Sequence, residues 1–205
     1  MNVLYVNHTS EVSGGERSLL ALLGALPQEI RPLVASPPGA LAEQVARLGI
    51  ATTEITGTAG SLRVHPVHTP RTLAELSVAA AQVHRAARRH RAAVVHANSI
   101  RAGIVLGLAR LRPAAGVVHV RDCLPPGPLT TATMRLIAAT ATTVVANSRY
   151  TADAMRAAAP GARLEVLHNP VDLARWIPRG SIASLRARGW ALPAVATCCS
   201  AWSHS

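Results

Sequence analysis

The chain opens with Asn2-Val3-Leu4-Tyr5-Val6-Asn7, an apolar run of strand length, and continues with Thr9-Ser10-Glu11-Val12-Ser13-Gly14-Gly15-Glu16, a polar turn with two adjacent glycines. Apolar residues at helical spacing follow at once. A strand that passes directly into a helix leaves free backbone N–H groups at the positive end of that helix, which favours an anion there. The spacing matches neither the dinucleotide-binding loop nor the P-loop, so a plain strand-to-helix turn stays an alternative interpretation.

The composition indicates one well-buried globular domain. Of the 205 residues, 49% are hydrophobic and only 15% are charged, which argues against disorder and leaves room for one α/β domain with a short extension. All 21 basic residues are arginine and the formal net charge is +11, which favours polyanionic partners. The absence of lysine is also typical of a GC-rich genome, so no single arginine carries a functional argument by itself.

The sequence predicts a cytoplasmic protein, with peripheral contact to the inner face of the membrane as an extension of that prediction. No stretch reaches the roughly 18 apolar residues that a membrane span needs, and the first residues lack the basic region of a secretory signal. The three cysteines, Cys123, Cys198 and Cys199, form no CxxC pair and have no metal-ligand spacing. We therefore expect a reducing compartment and no metal site.

Strand-like and helix-like segments alternate throughout the chain. This alternation predicts an α/β fold, a Rossmann-like parallel sheet of about seven strands with helices on both faces. The predicted strands are 2–7, 31–36, 50–55, 92–96, 116–120, 142–146 and 164–167. The predicted helices are 16–26, 38–48, 70–91, 100–111, 129–140 and 150–159.

Three local signals mark the limits of these elements. Gly49 takes the C′ position after the second helix. Residues 56–69 are rich in Gly, Thr, His and Pro and predict a long loop. Thr69 is then expected to cap a helix whose first residue is Pro70.

The last turns of that helix are strongly basic, with Arg85, Arg88, Arg89 and Arg91 close together. These cations complement the helix dipole in a solvated helix end, which is the simpler interpretation. The functional interpretation is a surface that docks on anionic lipid headgroups, worth up to about 1 kcal/mol per cation. The sequence leaves both open.

Polar residues follow several predicted strands at their carboxyl ends. In an open parallel sheet that edge is where ligands bind, at the point where the strand order reverses. Each Asn-Ser pair taken singly is an ordinary helix N-cap, but four polar strand ends together predict a site. These strand ends are Asn7-His8, His96 with Asn98 and Ser99, His119 with Arg121 and Asp122, and Asn147-Ser148.

Motifs at these strand ends resemble those of glycosyltransferase family 4, whose members have the GT-B fold. The resemblance covers Met1 to about Trp176 and is to the N-terminal, acceptor-side half of such enzymes. No single motif is strong, but five stand in the right order at the right strand ends. They are Val-Ser-Gly-Gly-Glu at 12–16, Val-Val-His-Ala-Asn-Ser at 94–99, His-Val-Arg-Asp at 119–122, Val-Ala-Asn-Ser at 145–148 and His-Asn-Pro-Val-Asp at 168–172.

The resemblance implies a retaining transfer of a glycosyl group, such as a hexose, from a nucleotide-diphosphate sugar to a glycan or lipid-linked acceptor. It implies no cofactor and no essential metal, the nucleotide sugar being a substrate. In such enzymes two Rossmann-like domains face each other across a cleft, and cell-envelope polysaccharides are typical products. The sheet predicted here would be one half of that fold.

The resemblance also implies roles for particular residues. The glycine loop reaches the donor, and the fifth-strand motif contributes catalytic residues. Many members carry His-Asp in that motif, whereas here Arg121 stands in the place of their histidine, as in a variant form His-x-Arg-Asp. The implied catalytic residues are His119, Arg121 and Asp122. The implied donor or acceptor contacts are Ser13, Gly14, Gly15, Glu16, His96, Asn98, Ser99, Asn147, Ser148 and Asn169.

The resemblance divides the chain into a domain at 1–176 and an atypical tail at 177–205. The family would continue there into a donor-binding domain, which is missing from this sequence. Two of the three cysteines and two of the three tryptophans fall within the tail, which predicts a frameshift or an interrupted gene near residues 188–193. We expect this chain alone to have negligible transferase activity.

Three other functions compete with this interpretation. A non-catalytic module that binds a sugar, a phosphate or a partner domain stays open. A nucleic-acid binder is disfavoured because the basic residues are not interleaved with aromatic ones. A dinucleotide-dependent oxidoreductase is disfavoured because the first loop lacks GxGxxG and no acidic residue ends the second strand.

Overall fold

The alternation of strands and helices that the sequence predicts is present throughout the computed structural model, which describes residues 1–58, 68–111 and 113–170. The strands are β1 Asn2–Val6, β2 Arg31–Ser36, β3 Ala51–Glu54, β4 Val94–Ala97, β5 Ala115–Val120, β6 Thr143–Ala146 and β7 Leu164–Val166. The helices are α1 Gly14–Gly24, α2 Ala40–Arg47, α3 His68–His90, α4 Ile100–Ala109, α5 Pro128–Thr140 and α6 Arg149–Ala158.

The seven strands form one sheet in the order β3-β2-β1-β4-β5-β6-β7, and every neighbouring pair is parallel. The chain builds outward from β1 to β3, then returns and builds from β4 to β7 on the other side of β1. The order therefore reverses between β1 and β4. This reversal opens a crevice at the carboxyl edge of the sheet, which is where such sheets bind ligands.

Helices cover both faces of the sheet, because successive strand residues point to opposite sides. Helices α3, α4, α5 and α6 pack side by side on one face, where Leu4, Val6 and Val118 are buried. Helices α1 and α2 pack on the other face against Val3 and Tyr5. The predicted α/β class, the seven strands and the two-sided cover are all confirmed.

Five of the six helix starts differ from the predictions by one or two residues, and two of these differences change the interpretation of a motif. Helix α1 begins at Gly14, so the glycine pair forms its first turn and does not belong to the preceding loop. Helix α3 begins at His68, so Thr69 lies inside the helix and is not its cap. Pro70 still lies in the first turn, where a missing N–H removes no helical hydrogen bond. The prediction for Gly49 is confirmed, since its φ of +74° lies in the left-handed region.

Several predictions fall outside the described residues. Most of the predicted loop at 56–69 lies there, as do the domain boundary at residue 176 and the tail at 177–205. The described residues up to Asn169 form one compact unit. Among the described helices, none combines the length and the hydropathy required to cross a bilayer.

The fit of α4 against the sheet provides a test of the packing. A Cβ added at Gly103 would lie 2.7 Å from Val118 Cγ1 and 3.3 Å from Ile137 Cδ1. We expect Gly103→Ala to lower the free energy of unfolding by about 1–3 kcal/mol, because a stiff β-branched neighbour must move. Gly24→Ala is the control, since nothing lies within 4 Å there. Urea unfolding measures both, and equal effects would contradict the packing.

Candidate functional site

Two asparagines lie at the base of the crevice between β1 and β4. Asn7 follows β1 and Asn98 follows β4, and both side chains are buried. The Asn98 amide donates to Asn7 Oδ1 at 3.0 Å and to the carbonyl oxygen of Gly15 at 3.3 Å. These bonds join two strand ends to the first turn of α1. They leave the Asn98 side-chain oxygen free for a donor from elsewhere.

That donor is Arg121, which follows β5. Its Nη2 donates to Asn98 Oδ1 at 3.0 Å, and its Nη1 donates to Asn169 Oδ1 at 2.5 Å. The Arg121 Nε is buried and has no partner among the described residues. Burial lowers the pKa of Arg121, although Glu16 and Asp122 act in the opposite direction. Two of the five guanidinium N–H donors are therefore fixed by asparagine side chains, and the Nε donor is without a partner among the described residues.

The glycine turn lies directly against this guanidinium. A Cβ at Gly15 would be 3.3 Å from Arg121 Cδ, whereas a Cβ at Gly14 would meet nothing within 4 Å. The N–H groups of both glycines lie in the first turn of α1, where they have no intrahelical partner. A methyl group at Gly15 would therefore press on the Arg121 side chain, and the positive end of α1 lies beside Arg121.

Ser13 and Glu16 bind each other. The Glu16 carboxylate accepts from the Ser13 backbone N–H at 3.1 Å and from its hydroxyl at 2.5 Å. Burial acts to raise the pKa of Glu16, but these hydrogen bonds outweigh it and hold the pKa below its usual value. Glu16 is only 4% exposed. The pair shapes the turn, so the predicted ligand contacts of this loop are left to the glycine N–H groups.

Two histidines extend the site along the α1 face of the sheet. The rings of Tyr5, His96 and His119 lie in a row across β1, β4 and β5, with centroid distances of 5.3 and 5.9 Å. Neither histidine Nε2 has a partner within the described part of the chain. Burial, and then the charge of Arg121, lowers the pKa of His96 to about 4 and that of His119 to about 3. Both rings are neutral at pH 7.

A wide cleft of about 980 Å³ lies beside these residues, across the carboxyl edge. Ser99 caps α4 by accepting from the Ala102 N–H, and its hydroxyl contacts His8 Nδ1 at 2.9 Å. Burial, followed by the charge of Arg101, lowers the pKa of His8. Residues that line the cleft include His8, Ser10, Glu11, Ser99, Arg101, Asp122, Leu124, Leu129 and Thr133.

The structure separates the predicted site residues into two groups. Gly15, Asn98, Arg121 and Asn169 are joined by direct contacts, with His96 and His119 beside them, and Ser99 and Asp122 line the cleft. The side chains of Asn147 and Ser148 form the second group, because both bind neighbouring protein groups. The Asn147 amide donates to the Arg121 carbonyl at 3.0 Å, and Ser148 caps α6 by accepting from the Thr151 N–H at 3.1 Å.

Two residues that line the cleft, His8 and Arg101, are absent from the implied catalytic residues and ligand contacts. His8 lies two residues after the end of β1, and the sequence interpretation already includes it among the polar strand ends. Arg101 is the second residue of α4 and donates to the Thr58 carbonyl at 2.6 Å. Its position two residues after Ser99, at the start of α4, brings Arg101 to the carboxyl edge and the cleft.

A family model described as Glycosyltransferase Family 4 matches residues 12–175. The chain belongs to glycosyltransferase family 4. The resemblance that the strand-end motifs indicate is thereby confirmed. The matched range includes all five motifs. No sequence among curated proteins matches the chain significantly.

Solved glycosyltransferase structures share the fold of this family 4 domain. The Anabaena protein Alr3699/HepE in complex with UDP is 21% identical, with a TM-score of 0.66 over 92% of this chain and 50% of its own. A glycosyltransferase from Rickettsia africae is 14% identical, with a TM-score of 0.60 over 94% of this chain and 50% of its own. The chain thus spans about half the length of these proteins and forms one half of a GT-B fold.

The buried histidines predict a loss of stability in acid. An unfolded histidine titrates near 6.5, whereas His96 and His119 in the fold titrate at about 4 and about 3. The unfolded chain therefore binds more protons as the pH falls below about 6.5, and stability decreases until the folded values are reached. Between pH 7 and pH 4, each histidine lowers the free energy of unfolding by on the order of 3 kcal/mol. Urea midpoints between pH 7 and pH 4 measure this.

His96→Asn is expected to reduce this acid dependence, since an amide carries no titrating proton. His168→Gln is the matched control, because it removes an exposed imidazole. An acid dependence that is equal in the wild type and in His96→Asn would contradict the assignment.

Alanine substitutions at the two glycines of the turn form a matched pair. Gly14→Ala is expected to leave the melting temperature unchanged or to raise it slightly, because a Cβ there contacts nothing within 4 Å. Gly15→Ala is expected to lower it, because the new methyl group displaces Arg121 from Asn98 and Asn169. Thermal unfolding of both variants tests this. Similar shifts in both would show that Arg121 is not held against the turn.

Proposed function

We propose that this domain is the acceptor-side half of a retaining glycosyltransferase that uses a nucleotide-diphosphate sugar. The observation that carries the proposal is the rigid cluster of Gly15, Asn98, Arg121 and Asn169 at the crevice between β1 and β4. Family membership supports glycosyl transfer in general. The Anabaena relative was crystallised with UDP and with UDP-glucose, which supports a nucleotide sugar as the donor.

In this proposal the donor diphosphate lies against the first turn of α1. The free N–H groups of Gly14 and Gly15 and the positive helix end favour negative charge there. As the glycosidic bond breaks, charge develops on the leaving phosphate. Donors that are already fixed stabilise that charge without reorganising, which is the main contribution expected of such a site. No metal or cofactor is required, since α1 and Arg121 supply the positive character.

His119 and Arg121 complete the donor side. The Arg121 Nη1 and Nη2 each carry a second N–H besides the one that binds an asparagine, and these can donate to a phosphate or a sugar hydroxyl. His119 lies beside them as a neutral, buried ring whose Nε2 has no partner among the described residues. Asn98 and Asn169 hold the guanidinium in place, so its position is set before the donor arrives. His96 supports His119 from the next strand.

The acceptor occupies the cleft of about 980 Å³. Asp122 is exposed on its wall and can accept a hydrogen bond from an acceptor hydroxyl. His8, Ser99 and Arg101 add further polar groups to the lining of the cleft. A glycan or the saccharide part of a lipid-linked acceptor fits this lining. We propose a cytoplasmic location, where nucleotide sugars are available.

Donor binding in this proposal also needs a second domain. The chain spans half the length of its structural relatives, and several charge-assisted hydrogen bonds at about 1.5–3 kcal/mol each would come from the other half. We expect the 205-residue chain alone to release no measurable UDP from UDP-glucose. A fusion to the donor half of a related family 4 enzyme is expected to restore UDP release.

Two substitutions in that fusion test the site. We expect His119→Ala and Arg121→Gln each to lower kcat/KM by roughly 10²–10³-fold, because each removes a fixed polar contact to the donor. Arg156→Gln is the control, since Arg156 pairs with Asp153 on the exposed face of α6. Full activity in Arg121→Gln would overturn the assignment. Binding of UDP-glucose without turnover in the fusion would favour the alternative, a non-catalytic binding module.

A further inference from the structure

Exposed arginines gather at the amino edge of the sheet, opposite the cleft. Helices run antiparallel to the strands of this sheet, so the helices end at the edge where the strands begin. Arg88 and Arg89 lie in the last turn of α3, and Arg91 follows that helix. Arg110 follows α4, and Arg31 begins β2. We call these exposed residues the basic edge: Arg31, Arg88, Arg89, Arg91 and Arg110.

Hydrogen bonds fix these segments beside one another. The His90 ring contacts the Arg31 carbonyl at 2.9 Å, and the Asn2 amide donates to the His90 carbonyl at 2.6 Å. The His84 ring contacts the Ala109 carbonyl at 2.9 Å, which brings the end of α4 to α3. The strands involved, β2 to β5, span three spacings, or about 15 Å. The basic edge is therefore one continuous surface.

Two of these arginines hold an unfavourable backbone conformation. Arg91 has a φ of +49° and Arg110 a φ of +48°, and they are the non-glycine residues with positive φ among those that the structure describes. The corresponding position after α2 is taken by Gly49. Glycine adopts this conformation freely, and arginine does not. Glycine codons are as rich in G and C as those of arginine, so a codon preference does not account for arginine at these positions.

We propose that the basic edge docks on an anionic phospholipid bilayer. Its arginines are exposed, and no acidic residue is closer to any of them in the sequence than Glu29, two residues before Arg31. The helix dipole explains Arg88 and Arg89 in the last turn of α3 but not Arg31, which begins a strand. Among the described residues the aromatic side chains lie elsewhere: Tyr5 is buried and Tyr150 begins α6. The surface thus lacks the stacking platform of a single-strand nucleic-acid binder.

Arg85 does not belong to the basic edge. It lies more than one turn before the end of α3, and its Nε donates to the Ala81 carbonyl of the same helix. The sequence grouped it with Arg88, Arg89 and Arg91 as one membrane contact. The structure replaces that linear group with an edge built from three helix or strand ends.

Docking through this edge sets the orientation of the domain. Strands of five or six residues, about 17–20 Å, separate the amino edge from the carboxyl edge. The cleft therefore opens away from the bilayer. This consequence rests on the proposed function: the acceptor hydroxyl must reach the cleft from the aqueous side, on a glycan that extends from the surface or is free in solution.

Sedimentation of the full chain with vesicles tests the proposal. We expect binding to phosphatidylcholine vesicles that contain about 30% phosphatidylglycerol, no binding to pure phosphatidylcholine, and release in about 0.5 M NaCl. Arg91→Gly with Arg110→Gly is expected to weaken binding roughly 25-fold, at about fivefold for each cation. The fold is preserved in this variant because glycine relieves both backbone positions, which thermal unfolding checks.

Matched variants distinguish an effect of the basic edge from a general effect of the net charge of the chain. Arg17→Gln with Arg149→Gln removes two exposed charges near the carboxyl edge and is expected to bind like the wild type. Arg91→Lys with Arg110→Lys retains the charge and is expected to bind as well. Equal weakening in the Arg17/Arg149 variant, equal binding to neutral vesicles, or tighter binding to a single-stranded oligonucleotide would each overturn the proposal. None of these measurements requires a sugar nucleotide, so a failure of membrane docking is distinguishable from a failure of the proposed function.

Discussion

The site depends on where the half-buried Arg121 guanidinium finds its hydrogen-bond acceptors. Asn98 follows β4, Asn169 follows β7, and Gly15 lies in the first turn of α1, so one side chain contacts three separate parts of the chain. Asn7 and the first turn of α1 in turn orient Asn98. Removing either asparagine would leave the half-buried guanidinium with one acceptor fewer, which lowers stability. The crevice is therefore preorganised in the protein alone.

The same sheet separates two kinds of surface. In a parallel sheet the helices begin at the carboxyl edge and end at the amino edge. Free N–H groups and polar strand ends therefore collect around the cleft, while exposed arginines collect on the opposite side. The two edges are about 20 Å apart, more than a Debye length at physiological salt. A contact at the basic edge can thus hold the domain without competing electrostatically with a donor in the crevice.

Local signals predicted the elements well because strands and helices follow hydrophobic periodicity. They were less reliable at ends such as the start of α3, where Thr69 and Pro70 form a good cap in sequence but lie inside the helix. They also could not show which protein group each polar side chain would bind. In the fold Ser13 and Glu16 bind each other, Asn147 and Ser148 bind groups near β5 and α6, and Asn98 joins β1, α1 and Arg121.

The sequence by itself determined the α/β class, the family, and the polar residues that follow β1, β4, β5 and β6. Each of these depends on hydrophobic periodicity or on a short contiguous motif. Only the tertiary structure decided which polar groups meet. The order β3-β2-β1-β4-β5-β6-β7 brings residues as distant as Gly15, Arg121 and Asn169 together. It also forms the basic edge from Arg31, Arg91 and Arg110. Such contacts depend on strand order and on the burial of charge, which no local stretch of sequence encodes.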